Sequence, residues 1–166
     1  MSVILIGPPS CGKSTLGVIL AKHMGYKFID SDLLIQEKTK KLLPTLIEEL
    51  GTEGFIALEN EVNLSITDEC AVIATGGSAI YGEEAMRHLR TLGKIVYIKL
   101  SYKSMQRRLG DYTHRGVVIR SGSTLYDMYK ERCPLYEKYA DITIEEQGGS
   151  ISRTVSRLVE ALGERE

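Results

Sequence analysis

A run of eight residues near the start of the chain carries the clearest chemical signature. Residues 7–14 read GPPSCGKS, which fits the phosphate-binding pattern G-x-x-x-x-G-K-[ST]. Its two glycines allow the backbone to approach phosphate groups, whose charge is met by loop N–H groups and the positive end of the following helix. Lys13 is expected to reach the outer phosphates, and the Ser14 hydroxyl to coordinate Mg²⁺. The pattern predicts binding of ATP and Mg²⁺ through Gly7, Ser10, Cys11, Gly12, Lys13, Ser14 and Thr15.

Two carboxylates follow the second predicted strand. Asp30 and Asp32 lie two residues apart, on the sheet edge that also holds the phosphate-binding loop. A Mg²⁺ ion bound to phosphates needs oxygen ligands, and a hydroxyl that accepts a phosphoryl group needs a partner for its proton. The two aspartates can divide these tasks. The alternative interpretation is structural, with Asp32 only capping the following helix and Asp30 only forming a turn.

A β-sheet must position these residues, and the pattern of apolar residues in the rest of the chain predicts such a sheet. Short apolar runs predict strands at residues 2–6, 27–29, 70–74, 95–98 and 141–144. Helices are predicted from Lys13 to a cap at Gly25, over residues 83–92, 125–139 and 151–162, and over most of 33–68, with breaks near Pro44 and Gly51. This alternation predicts an α/β fold in three layers, with a five-stranded parallel sheet, helices on both faces and ligands at the carboxyl ends of the strands.

One further segment is assigned by its position and composition. Residues 110–122 carry turn residues and charge with little apolar periodicity, so we expect an exposed lid. With 166 residues, the chain has room for one hydrophobic core, which predicts a single domain over residues 1–166.

The composition excludes several functional classes. A charged fraction of 26% and a net charge of −1 provide no overall attraction to nucleic acid or an anionic membrane. Cys11, Cys70 and Cys133 are distant in sequence and form no CxxC pair, which favours free thiols in a reducing compartment. No apolar run approaches the roughly 20 residues that span a bilayer. We therefore expect a cytoplasmic monomer whose partner is a small molecule.

Four segments together resemble the shikimate kinase family over nearly the whole chain. They are the phosphate-binding loop, FIDSD at residues 28–32, ATGG at residues 74–77 and ERCPLY at residues 131–136. The resemblance implies a P-loop kinase that transfers phosphate from ATP to a hydroxyl of shikimate. It also implies that Asp30 serves the Mg²⁺ site, that Asp32 contacts the substrate hydroxyl, and that Gly76 and Gly77 offer backbone N–H groups to the ligands. The helical region at about residues 32–62 would, by the same resemblance, bind the acceptor.

The same resemblance assigns three arginines. It places Arg108 beside the adenine, Arg115 in the lid, and Arg132 against the substrate carboxylate. A guanidinium group binds a carboxylate through two hydrogen bonds and stabilises charge on a phosphoryl group in transfer. Arg115 is accordingly our candidate for transition-state stabilisation, with Lys13 and Asp32 as the other catalytic residues. Arg107 and Arg120 are assigned no functional role.

The acceptor half departs from the family pattern. The arginine that follows a phenylalanine in the family, and that binds the substrate carboxylate, is Ile56 here. Loss of one of two charge-assisted partners costs about 1.5 to 3 kcal/mol, or roughly ten- to a hundredfold in affinity. The third glycine of the family is Ser78, and the lid reads RGVV at residues 115–118 where the family has RPLL.

Three functions therefore remain open from the sequence. The first is phosphorylation of shikimate, with Arg132 and backbone groups compensating for the absent arginine. The second is phosphorylation of another small hydroxylated acceptor, favoured by the apolar side chain of Ile56. The third is a nucleotide-binding protein without transfer activity, which is disfavoured because Lys13, Ser14, Arg115 and both aspartates are present.

Overall fold

The fold is a parallel sheet with helices on both faces. The computed structural model describes residues 1–112 and 115–163. Its strands are β1 (Ser2–Ile6), β2 (Lys27–Asp30), β3 (Ala71–Ala74), β4 (Gly93–Lys99) and β5 (Ile142–Glu145). They form one five-stranded sheet in the order β2-β3-β1-β4-β5, and every pairing is parallel. The predicted fold class is confirmed, and each strand lies within two residues of its predicted position.

The helices cover the sheet and extend over its carboxyl edge. They are α1 (Lys13–Met24), α2 (Ser31–Thr39), α3 (Leu43–Leu64), α4 (Glu83–Leu92), α5 (Tyr102–Leu109), α6 (Leu125–Tyr139) and α7 (Ile151–Ala161). Gly25 ends α1 in the left-handed conformation, as predicted. Pro44 lies in the first turn of α3, where its missing N–H is tolerated, and Gly51 kinks that helix with φ 69° and ψ 178°. Helix α5 was not predicted.

Strand β1 shows why the sheet has helices on both faces. Val3 and Leu5 pack with apolar residues of α1, α5 and α7, whereas Ile4 and Ile6 pack with Met86 of α4 and with other residues of α4 and α6. All five residues of β1 are buried. Since both faces are covered and β1 pairs with β3 on one side and β4 on the other, a ligand cavity is expected at the carboxyl end of β1.

A smaller apolar cluster joins the acceptor-side helices to the predicted lid. It contains Ile35, Leu43, Leu46, Phe55, Val62 and Val118. Val118 is buried, and a Cβ at Gly116 would approach Leu43 Cβ to 2.6 Å. The lid is therefore not uniformly exposed, because part of it packs against α3. Residues 113 and 114 of the predicted lid lie outside the described residues, and its closing motion stays a prediction.

Candidate active site

A cavity of about 570 Å³ lies at the carboxyl edge of the sheet. Most predicted site residues line it: Ser10, Gly12, Lys13, Ser14, Thr15, Asp32, Gly76, Gly77, Arg108, Arg115 and Arg132. Gly7 and Cys11 of the same loop are buried instead and are not among the residues that line the cavity. Asp30 contacts Ser14 at the cavity rim. The fold thus brings the phosphate-binding loop and the predicted acceptor residues to one cavity.

The loop between β1 and α1 has the backbone that phosphate binding requires. Gly7 has a φ of 150°, and a Cβ there would lie 2.6 Å from the carbonyl oxygen of Ile98. Gly12 caps α1 with a φ of 95°, so no side chain occupies the first N–H groups of the helix. The first turn also holds no acidic residue. This helix end is consequently suited to bind an anion.

Lys13 is held against the loop itself. Its Nζ atom donates hydrogen bonds to the carbonyl oxygens of Gly7 at 2.8 Å and Pro8 at 2.9 Å, and lies 3.5 Å from Cys11 Sγ. The side chain is buried yet lines the cavity. No carboxylate of the described residues forms an ion pair with this ammonium group, so it is available to an incoming phosphate.

Ser14 and Asp30 form the predicted metal-binding edge. The Ser14 hydroxyl donates to Asp30 Oδ2 at 2.7 Å. Among residues 1–112 and 115–163, no cluster of three or more His, Cys, Asp or Glu side chains could hold a metal. A hydroxyl and a carboxylate beside a phosphate-binding loop nevertheless suit Mg²⁺, which takes its other ligands from water and phosphate oxygens. The donor set therefore fits Mg²⁺.

The two aspartates differ in their roles. Asp30 Oδ1 accepts hydrogen bonds from the N–H groups of Asp32 at 3.0 Å and Leu33 at 3.4 Å, so Asp30 caps α2. The alternative interpretation that Asp32 caps this helix is wrong, because Asp32 already lies in the first turn of α2, which begins at Ser31. The Asp32 side chain faces the cavity instead. Burial raises the pKa of Asp32 to about 6, with a further increase from Asp30 that Lys13 opposes.

Glu59 is a buried carboxyl that the sequence analysis did not identify. The Ser78 hydroxyl donates to Glu59 Oε2 at 2.5 Å, whereas Glu59 Oε1 has no hydrogen-bond partner among the described residues. Burial raises the pKa of Glu59 to about 7; the Ser78 hydrogen bond opposes this, Asp32 adds to it, and Arg132 and Lys13 lower it. A helical glutamate is usually exposed. Its position four residues after Phe55, on the buried side of α3, was the available signal.

Gly76 and Gly77 bring the end of β3 close to these carboxyls. A Cβ at Gly76 would lie 2.1 Å from Glu59 Oε1 and 2.9 Å from Asp32 Oδ1, so a side chain there would displace both carboxyl groups. The expectation that the Gly76 N–H faces the ligands needs correction, because this N–H donates to Ser31 Oγ at 3.1 Å. The Gly77 carbonyl accepts from Tyr136 Oη at 2.5 Å. Gly76 therefore acts first by close packing, whereas the role of the Gly77 N–H stays a prediction.

Arg132 places a buried guanidinium group in the acceptor part of the cavity. Only 3% of the residue is exposed. One Nη atom donates to the Val118 carbonyl, the Nε atom has no hydrogen-bond partner among the described residues, and the guanidinium carbon lies 5.5 Å from the centre of the Tyr81 ring. No carboxylate of the described residues forms an ion pair with it. A buried cation without an ion-pair partner favours binding of an anion.

Arg108 and Arg115 border the cavity on the side of α5 and the predicted lid. Arg108 Nη2 lies 3.2 Å from Glu146 Oε1, and Glu146 also accepts hydrogen bonds from Thr154 Oγ1 and the Gly148 N–H. The loop after β5 therefore fixes Arg108, a contact that the sequence analysis did not predict. Arg115 is exposed at the cavity wall, in reach of a ligand rather than packed in the core.

The fold and the cavity define a P-loop kinase, in which a phosphate-binding loop adjoins a pocket for a small acceptor. Comparisons with known proteins extend this to a family. The shikimate kinase family model matches residues 9–163. The chain belongs to the shikimate kinase family.

Individual relatives match over almost their whole length. The shikimate kinase of Francisella tularensis subsp. novicida is 35% identical over 161 residues, covering 95% of this chain and 92% of the relative. Shikimate kinase 2 of Serratia proteamaculans is 30% identical over 166 residues, with coverages of 97% and 95%. The structure of Acinetobacter baumannii shikimate kinase in complex with shikimate matches with a TM-score of 0.87 and 30% identity, covering 97% of this chain and 92% of that one.

Proposed function

We propose that this chain transfers the γ-phosphoryl group of ATP to a hydroxyl of shikimate, giving shikimate 3-phosphate and ADP. The observation that carries the proposal is Arg132, a buried guanidinium group without an ion-pair partner in the described chain, which lines the same cavity as Lys13 and Asp32. A cavity that combines a phosphate-binding loop, a carboxyl group and a buried cation suits an acceptor with both a hydroxyl and a carboxylate. Shikimate has both groups.

The transfer follows from the positions of the side chains. The triphosphate binds against the loop and the first turn of α1, and Lys13 exchanges its carbonyl partners for phosphate oxygens. Ser14, with Asp30 behind it, would hold Mg²⁺, which when bound neutralises charge on the phosphates. The acceptor hydroxyl lies in line with the γ-phosphorus, and Asp32 orients it and takes its proton as the new O–P bond forms.

The remaining cavity residues bind and shield the reactants. Bond cleavage between the β- and γ-phosphates leaves ADP, and Arg115 stabilises the charge that spreads over the transferring group. Arg108, fixed by Glu146, lies on the nucleotide side. Arg132 binds the acceptor carboxylate and thereby sets which hydroxyl faces Asp32. Closure of the predicted lid would exclude water and suppress hydrolysis of ATP.

An assay of ADP release tests this proposal directly. Purified protein is given ATP and Mg²⁺ with shikimate, with related hydroxy acids or with polyols, and Lys13→Ala serves as the inactive control. Release of ADP that depends on shikimate supports the proposal. Turnover with a different acceptor alone, or nucleotide binding without turnover, contradicts it.

We also propose that the protein acts as a cytoplasmic monomer. Cys11, Cys70 and Cys133 are all free thiols, which suits a reducing compartment. Among the described residues, none of the helices combines the length and apolar character needed to cross a membrane. Light scattering after size-exclusion chromatography checks the oligomeric state, and a dimer mass would contradict the proposal.

A further inference from the structure

The acceptor pocket has one buried guanidinium group on a wall where the family pattern has two arginines. Ile56 occupies the second position, and its side chain lines a small cavity together with Arg120 and Arg132. That cavity shares Val118 and Arg132 with the active-site cavity. Arg120 is therefore close to the apolar side chain of Ile56, at the edge of the acceptor pocket.

Tyr81 organises the two guanidinium groups. The guanidinium carbon of Arg120 lies 4.9 Å from the centre of the Tyr81 ring, and that of Arg132 lies 5.5 Å from the same centre. Contacts of this kind hold a guanidinium group over an aromatic ring while leaving its N–H groups free to bind an anion. One aromatic ring thus brings two cations to the same end of the acceptor pocket.

The present partners of Arg120 are easily exchanged. Arg120 Nη1 lies 2.6 Å from Glu131 Oε1, and its Nε lies 3.4 Å from Glu53 Oε1. The side chain of Arg120 is 43% exposed, that of Glu131 is 46% exposed and that of Glu53 is 79% exposed. Ion pairs between exposed side chains contribute little to stability. Glu131 Oε1 also accepts a hydrogen bond from Tyr81 Oη at 2.7 Å, so it keeps a partner when Arg120 turns away.

We propose that Arg120 is the second cation that binds the acceptor carboxylate, and that it replaces the arginine absent at position 56. The inference rests on the proposed function, because it needs an acceptor with a carboxylate. The acceptor would lie between Arg132, which is fixed and buried, and Arg120, which is exposed and rotates towards it from the rim. Ile56 then supplies apolar contact to the ring of the acceptor.

Steady-state kinetics of Arg120→Ala tests this inference. We expect the KM for shikimate to rise by about ten- to a hundredfold, as for loss of one charge-assisted contact, while the KM for ATP stays unchanged. Arg87→Ala is the matched control, because Arg87 is also an exposed arginine whose partner is a glutamate, Glu83 at 3.7 Å, on the remote helix α4. An Arg120→Ala enzyme with the same KM for shikimate as the control would overturn the inference.

Two further measurements separate binding of the carboxylate from a structural role. With the primary amide of shikimate as acceptor, Arg120→Ala and the unaltered enzyme should have the same KM, because the carboxylate is gone. Ile56→Arg added to Arg120→Ala should restore the KM for shikimate. An equal loss with the amide, or no restoration, contradicts the inference. If the unaltered enzyme fails to phosphorylate shikimate, the proposed function fails as well; if only the variant effects are absent, the function stands and the inference alone is wrong.

Discussion

The Ser14 hydroxyl donates a hydrogen bond to Asp30 Oδ2 across 2.7 Å and links the first turn of α1 to the end of β2. The other oxygen of the same carboxylate caps α2, the helix that carries Asp32. One side chain therefore positions both the hydroxyl that would bind Mg²⁺ and the residue that would receive the acceptor proton. We therefore expect metal binding and acceptor binding to be coupled through Asp30.

Substitution of Asp30 should separate its two roles. Asp30→Asn keeps an oxygen that caps α2 but removes the charge, so activity should require a higher Mg²⁺ concentration while stability changes little. Asp30→Ala also loses the cap and should lower the free energy of unfolding by about 1 kcal/mol. A Mg²⁺ titration of activity and urea unfolding measure the two effects. Equal Mg²⁺ dependence in Asp30→Asn and the unaltered enzyme would remove Asp30 from the metal site.

Lys13→Ala should abolish transfer while leaving the fold intact. The lysine contacts the loop through two carbonyl oxygens, and its own side chain lines the cavity, so water can fill the space that its removal leaves. We expect kcat to fall by about a thousandfold, since a positioned cation at the transferring group contributes on that scale. Circular dichroism checks the fold. Near-normal turnover in a folded variant would exclude Lys13 from the mechanism.

Asp32→Asn should lower kcat by about a hundred- to ten-thousandfold, because an amide cannot take the proton of the acceptor. In the unaltered enzyme, the raised pKa of about 6 predicts that activity falls as the pH drops through this value, where Asp32 becomes protonated. Bound Mg²⁺ favours the ionised carboxylate of Asp32, so the fall in activity moves to lower pH. Asp68→Asn, at a partly exposed aspartate paired with Lys27, is the control. A variant with full activity would contradict the role of Asp32.

Glu59→Gln tests the buried carboxyl by its effect on stability. The pKa of Glu59 is about 7 in the folded state and 4.5 ordinarily, so the protonated form is favoured by folding. This contribution is fully present below pH 4.5 and is lost as the pH rises through 7. At pH 8 the variant should therefore be more stable than the unaltered protein by about 3 kcal/mol, but by less than about 1 kcal/mol near pH 5. Urea unfolding at both pH values measures this. An equal difference in stability between the variant and the unaltered protein at both pH values would show that Glu59 does not titrate in this range.

Much of the fold could be predicted because its signals are local. The strand, glycine loop and helix at the start of the chain follow from apolar runs and glycine, and each later strand carries a similar run. Helix α5 was missed because its sequence, YKSMQRRL, buries only Met105 and Leu109, which is too short a periodic pattern to stand out from a charged loop. Its hydrogen-bonded cap at Ser101 was the remaining local signal.

The missed parts of the site depend on contacts between distant residues. Glu59 is buried because Ser78 and Gly76 pack against it, and neither contact has a trace in the sequence around α3. The Gly76 N–H is bound by Ser31, a contact across 45 residues. The neighbouring positions of Arg120 and Arg132 arise because both pack on Tyr81 of a third segment. Residue types predicted the chemistry of the site, but tertiary packing decides which carboxyls and cations share it.

The most direct test of the central claim is ³¹P nuclear magnetic resonance of a reaction that contains the protein, ATP, Mg²⁺ and shikimate. The proposed transfer predicts loss of the γ-phosphate signal together with equal growth of ADP signals and of a new phosphomonoester signal coupled to a ring proton of the acceptor. Growth of inorganic phosphate alone, or an unchanged ATP spectrum with folded protein, would contradict phosphoryl transfer to shikimate.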